Sequence, residues 1–153
     1  MTFSLAELPL PVRLRPAARM SDDALLRFCA ANENLRIERE ANGELIGMTP
    51  AGTKTGRRNA YLIQSLSNWS DGDGRGYAFD SNTGCTLPDG SMRSPDAAWI
   101  EGARWDALSE EDKDRFSPIS PDFMIELRSL SDDPEELEAK LDQWITNGVP
   151  VGR

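Results

Sequence analysis

The run Phe123-Met124-Ile125-Glu126-Leu127 constrains the fold more than any other stretch, because it is apolar almost throughout. A strand wetted on one side alternates apolar and polar residues, whereas one covered on both faces does not. The run therefore predicts a central strand with a packed layer on each side. Glu126 is the exception inside it. A carboxylate removed from water is costly unless it is paired, hydrogen-bonded or bound to a cation. Glu126 is thus expected at a strand end, in a salt bridge or in a metal site.

Other local signals supply the flanking layers. Residues 1–19 carry Pro9, Pro11 and Pro16 with no apolar period and read as an N-terminal arm. Ser21 is a good N-cap, followed by Asp22 and Asp23 where the helix dipole favours acids, so a helix is predicted over about residues 22–32. Residues 35–40 and 44–48 form two short alternating runs around Ala41-Asn42-Gly43, a strong hairpin signal. Leu35 and Ile37 share one face of the first strand, which puts Glu38 on the other. Residues 51–58 read as a Gly- and base-rich loop containing Lys54, Arg57 and Arg58, and Asn59 to Trp69 as a helix. Short strands follow between Tyr77 and Ile100, with a turn at Pro88-Asp89-Gly90. Ser109 to Phe116 reads as a short charged helix. The last helix has Asp133 as N-cap, Pro134 in its first position and Gly148 as its stop signal. Helices interleaved with strands, and an early antiparallel hairpin, predict an α/β fold: a mixed β-sheet flanked by helices.

Composition narrows the chemistry. A chain of 153 residues suits one domain, read here as 20–153 after the arm. There is no histidine, which removes histidine triads, histidine general bases and most zinc sites. Cys29 and Cys85 stand apart in unlike contexts and read as two ordinary thiols of a reduced, cytoplasmic protein. No secretory signal is read in the first residues and no apolar run is long enough to span a membrane. The net charge of -9 opposes long-range attraction to nucleic acid, although clustered metal-binding carboxylates would contribute to it.

Three residues combine into a chemical hypothesis. Asp96 follows Pro95 at the mouth of the apolar run Ala97-Ala98-Trp99-Ile100, and Glu126 lies in the central strand. Lys140 lies on the last helix about 60° from Leu137 and about 40° from Trp144, so it can reach toward the sheet. Two carboxylates on neighbouring strands can hold Mg²⁺ or Mn²⁺ through oxygen, and such an ion activates water for attack on a phosphodiester. A lysine nearby can orient that water and offset developing negative charge. Each residue also has an ordinary reading. Asp96 can be a turn residue, Glu126 a salt-bridge partner of Arg128 or Arg93, and Lys140 a solvated helix flank.

The segments Arg93-Ser94-Pro95-Asp96-Ala97-Ala98-Trp99-Ile100, Ser120 to Ser129, Lys140 and Asn147-Gly148-Val149 closely resemble the Uma-two family. So do Ile37-Glu38-Arg39, Gly43-Glu44-Leu45, Thr49-Pro50 and Thr55-Gly56-Arg57-Arg58-Asn59. These are bacterial restriction-endonuclease-like proteins of the PD-(D/E)XK superfamily, and the similarity runs from about residue 20 to 149. The resemblance implies a restriction-endonuclease-like fold and a metal-dependent hydrolase, a Mg²⁺-dependent endonuclease acting on DNA. Asp96 matches the metal-binding aspartate and Glu126 the acid of the next motif strand. Lys140 matches the family's lysine on the following helix, and Glu38 an acid that adds to the metal shell. Two departures stand out. Arg128 occupies the position where the superfamily often has its lysine. The family also continues past the Gly-Val segment, so this domain is expected to be truncated at the C-terminus, without its last strands. Lys54, Arg57 and Arg58 would contact nucleic-acid phosphate, and a homodimer would present two sites to two strands. The alternatives are a non-catalytic interaction module of the same fold and a decayed nuclease.

Overall fold

The computed structural model describes residues 10–130 and 132–152. In chain order the elements are β1 (Val12–Leu14), α1 (Asp22–Ala31), β2 (Arg36–Arg39), β3 (Leu45–Met48), α2 (Thr53–Asp73), β4 (Gly76–Phe79), β5 (Cys85–Thr86), β6 (Met92–Arg93), β7 (Ala97–Glu101), α3 (Gly102–Asp106), α4 (Glu110–Lys113), β8 (Phe123–Ile125), α5 (Pro134–Thr146) and β9 (Val151–Gly152). They build two sheets flanked by helices. One has the order β1-β3-β2-β6-β5, the other β4-β7-β8-β9. All pairings between these strands are antiparallel except β8 with β9.

The local signals account for most of this. Ser21 caps α1 by accepting from Ala24 N. Gly43 has φ 91°, a left-handed conformation that glycine adopts without steric cost, and the β2–β3 hairpin closes around it. Asp133 caps α5 by accepting from Glu135 N, with Pro134 in its first turn. The central strand is β8, lying between β7 and β9.

Two expectations need correction. The arm read over residues 1–19 contributes a strand: Val12–Leu14 pairs with β3 along Val12↔Gly47 to Leu14↔Leu45. Its pattern looked aperiodic because only three residues pair. Residues 1–9 of that arm lie outside the described residues. The loop read over residues 51–58 is instead largely the start of α2, with Gly52 as an extended N-cap whose carbonyl accepts from Gly56 N at 2.9 Å. Gly52 and Gly56 lower helix propensity, but packing of the later turns on β4 and β7 outweighs that local preference.

Two apolar clusters hold the layers. Leu25, Ile37, Leu45 and Met92 join α1 to the first sheet. Cys85, Leu87, Ala98, Met124, Trp144 and Val149 join α5 to the second sheet and to β5 of the first. Both cysteines are free thiols, and burial pushes that of Cys85 up to about 12. Among the described residues no helix is long and apolar enough to cross a membrane.

Candidate functional site

The two sheets meet at Ser94-Pro95-Asp96. β6, just before this segment, pairs with β2, and β7, just after it, pairs with β8. Proline has no N–H to give to a ladder, so the chain can leave one sheet here and enter the other. The β7–β8 register joins Ala97 to Ile125, and one further step sets Asp96 opposite Glu126. Ala98 and Met124 face the core that contains Trp144 of α5. Two residues along each chain, Asp96 and Glu126 share that face. On β2, Ile37 packs toward α1, so Glu38 points the other way, as the strand period predicts.

These placements bring Glu38, Asp96, Glu126 and Lys140 together. Lys140 Nζ lies 3.1 Å from Glu38 Oε1 and 3.2 Å from Glu126 Oε1. Glu126 Oε1 also accepts from Trp144 Nε1 at 3.3 Å. Asp96 Oδ1 accepts from Arg36 Nη1 at 3.2 Å, and its Oδ2 accepts from Leu127 N at 2.5 Å. Glu38 is 1% exposed, and both of its oxygens are engaged. Its Oε1 accepts from Ser94 N at 3.1 Å and its Oε2 from Arg93 Nη1 at 3.0 Å. The lysine side chain remains about one-fifth accessible, so it marks the opening of an otherwise buried cluster.

The electrostatics differ from one acid to the next. Burial works to raise the Glu38 carboxyl, but Lys140, Arg93, Arg36 and the Ser94 N–H outweigh it and hold it at about 2. Burial also raises Glu126; Lys140 opposes this, but Glu38 and Asp96 add repulsion and the net displacement is upward. Burial works to lower the Lys140 amine, yet Glu38 and Glu126 together raise it above its ordinary value. Lys140 is therefore an ammonium at neutral pH, suited to orient and to stabilise negative charge.

Among the described residues no group of three or more His, Cys, Asp or Glu side chains is arranged to hold a metal ion. Magnesium does not require three, since it commonly takes one or two carboxylates and keeps several waters. Asp96 and Glu126 are all-oxygen donors facing each other across a ladder, which suits a hard cation. Burial first, and then repulsion from Glu38 and Asp96, raise the Glu126 carboxyl. Glu38, expected in the metal shell, has its oxygens occupied by Arg93, Lys140 and Ser94.

The basic residues expected to touch phosphate are not gathered with this cluster. Lys54, Arg57 and Arg58 are exposed on the first two turns of α2. Trp99 donates to Ser70 Oγ at 3.0 Å, which docks α2 on the face of β7 opposite Ala98. The helix therefore covers the other side of the sheet from α5. The cluster also contains residues that the motif reading passed over. Arg36 precedes Glu38 by two and shares its face, a signal that strand alternation offered. Gln143 lies one turn after Lys140 and accepts from Arg93 Nε at 2.9 Å. Arg93, which with Arg128 is one of two cations that the ordinary reading of Glu126 offers it, pairs instead with Glu38 and, at 2.6 Å, with Glu40.

Residues 22–152 match the model of a protein family, Uma2, described as "Putative restriction endonuclease". No curated protein matches. Among solved structures, the chain is similar to "a putative nuclease belonging to DUF820" from Anabaena variabilis ATCC 29413. The TM-score is 0.63 at 18% identity, over 79% of this chain and 65% of that one. At that identity the likeness concerns the fold, and the chain spans 65% of its neighbour's length. The family match takes in every element from α1 to β9, with Glu38, Asp96, Glu126 and Lys140 inside it, and the chain therefore belongs to the Uma2 family.

Proposed function

We propose that this protein is a metal-dependent nuclease that hydrolyses DNA phosphodiester bonds, with Asp96 and Glu126 holding Mg²⁺ or Mn²⁺ and Lys140 completing the site. The observation that carries the reading is the meeting of Lys140 Nζ with Glu126 Oε1 at 3.2 Å, next to the position where the ladder sets Asp96 opposite Glu126. When bound, the cation supplies Lewis acidity and a lowered pKa for attacking water. Asp96 and Glu126 would fix its place where two paired strands meet their ends, Asp96 just before β7 and Glu126 just after β8. Lys140, kept protonated by its carboxylate neighbours, donates hydrogen bonds to the attacking water or to a phosphate oxygen as negative charge builds up. Arg36, on Asp96, is a second cation at the rim of the cluster.

Calorimetric titration with Mn²⁺ and cleavage of supercoiled plasmid with Mg²⁺ test this together. The wild type is expected to bind Mn²⁺ and to nick the plasmid, and Asp96→Ala and Glu126→Ala to lose both. Cleavage that survives in both variants would sink the reading. A second reading, a non-catalytic interaction module, draws on the way existing ion pairs already occupy the carboxylates. It expects no Mn²⁺ heat and no cleavage from the wild type.

A further inference from the structure

We propose that Glu38 is a positioning residue that, clamped by Arg93, sets the Lys140 amine, and that it is not a ligand of the cation; this rests on the reading of Asp96, Glu126 and Lys140 given above. Two cations and a backbone N–H hold the Glu38 oxygens, with Lys140 Nζ and Ser94 N on one and Arg93 Nη1 on the other, whereas Asp96 accepts from one cation, Arg36, and from Leu127 N. Arg93 is immobilised in turn. It is buried, pairs with Glu40 just past the end of β2, and donates from Nε and Nη2 to Gln143 Oε1 at 2.9 and 2.6 Å. The guanidinium therefore ties β6 to β2 and to α5, and the Glu38 carboxylate sits in the middle of that tie.

The geometry gives this carboxylate a purpose. Lys140 carries its charge on a flexible four-carbon stem, so a helix alone does not fix its amine. Its two acidic partners are Glu38 and Glu126. Glu126 is the one that must turn part of its charge to a cation. Glu38 can hold the amine throughout, because its backbone lies on a different strand from either cation ligand. For Glu38 itself to ligate a cation, it would have to release Arg93 and Lys140. A buried guanidinium and a largely covered ammonium would then face an incoming third positive charge with their counter-charge withdrawn, which is strongly unfavourable.

Glu38→Asp and Glu38→Gln test the assignment through three readouts: Mn²⁺ affinity, plasmid cleavage with Mg²⁺, and the ¹⁵N resonance of Lys140 Nζ. The aspartate variant keeps the charge that Arg93 needs and so guards against loss of the fold. Mn²⁺ affinity is expected to stay within about twofold while kcat falls roughly 10- to 100-fold at unchanged KM, the scale of lost outer contacts. The Lys140 resonance is expected to move in both variants. Loss of Mn²⁺ affinity in Glu38→Asp with the Lys140 signal in place would overturn the proposal and make Glu38 a ligand. If the wild type neither binds Mn²⁺ nor cleaves, the nuclease reading fails. The resonance then decides the positioning claim alone: an unmoved signal in Glu38→Asp refutes it.

Discussion

Glu126 directly follows β8, its side chain buried, with Lys140 and Trp144 on a single oxygen. Its folded carboxyl is raised above the ordinary value of 4.5, by burial first and then, against the pull of Lys140, by Glu38 and Asp96. The contribution of such an acid is most favourable below its unfolded value and is lost as pH rises through the folded one. At neutral pH the ionised side chain thus costs stability. Glu126→Gln removes that cost, and Lys140 keeps Glu38 at 3.1 Å. The variant is expected to be more stable toward unfolding than wild type at pH 7. The gain should shrink as pH falls toward 4.5. Urea unfolding across that range checks it; a Glu126→Gln variant less stable than wild type at pH 7 would contradict the assignment. A group that is costly to the fold and central to the site is where function and stability are expected to part.

At the scale of elements, α2 is the clearest case of local pattern giving way to packing. Gly56 sits inside a stretch that reads as a loop, yet it lies within the helix, and a Cβ built on it meets nothing within 4 Å. Gly56→Ala should therefore stabilise the protein by about 0.5–1 kcal/mol through helix propensity. A thermal melt that does not move would favour a loop. Gly76 on β4 is the opposite case. A Cβ there would meet Ile100 O and the Trp99 ring at 2.4 Å, the same Trp99 whose indole holds α2 through Ser70. Gly76→Ala is expected to destabilise by about 1–3 kcal/mol through overpacking. The hairpin, the caps of α1 and α5 and the Gly43 turn were legible in sequence because each is decided within four residues. β1 was not, because its partner among the described residues is β3, some thirty residues away along the chain.

At the scale of the whole molecule, charge and topology pull in different directions. The chain carries -9 overall, so any approach of DNA depends on local cationic surfaces. Lys54, Arg57 and Arg58 form one such surface, on the sheet face away from α5. If they contact phosphate, DNA reaches around an edge of the sheet to meet both faces. Replacing all three by Gln should weaken binding of a labelled duplex and reduce its log–log salt slope by up to about 3. Mn²⁺ affinity should be unchanged. A salt slope equal to that of wild type would remove α2 from the interface.

The sequence by itself determined the kind of layers, the caps and turns, the face on which Glu38 lies and the inward reach of Lys140. All of these follow from strand and helix periods and from residues close in the chain. Only the tertiary structure decided the partners. Arg93 is 55 residues from Glu38 and Lys140 is 102 residues from it, and no local pattern selects one cation among the 17 lysines and arginines for a given acid. That choice is made by the meeting of two sheets at Ser94-Pro95-Asp96, because burial there leaves each charge few places to be neutralised.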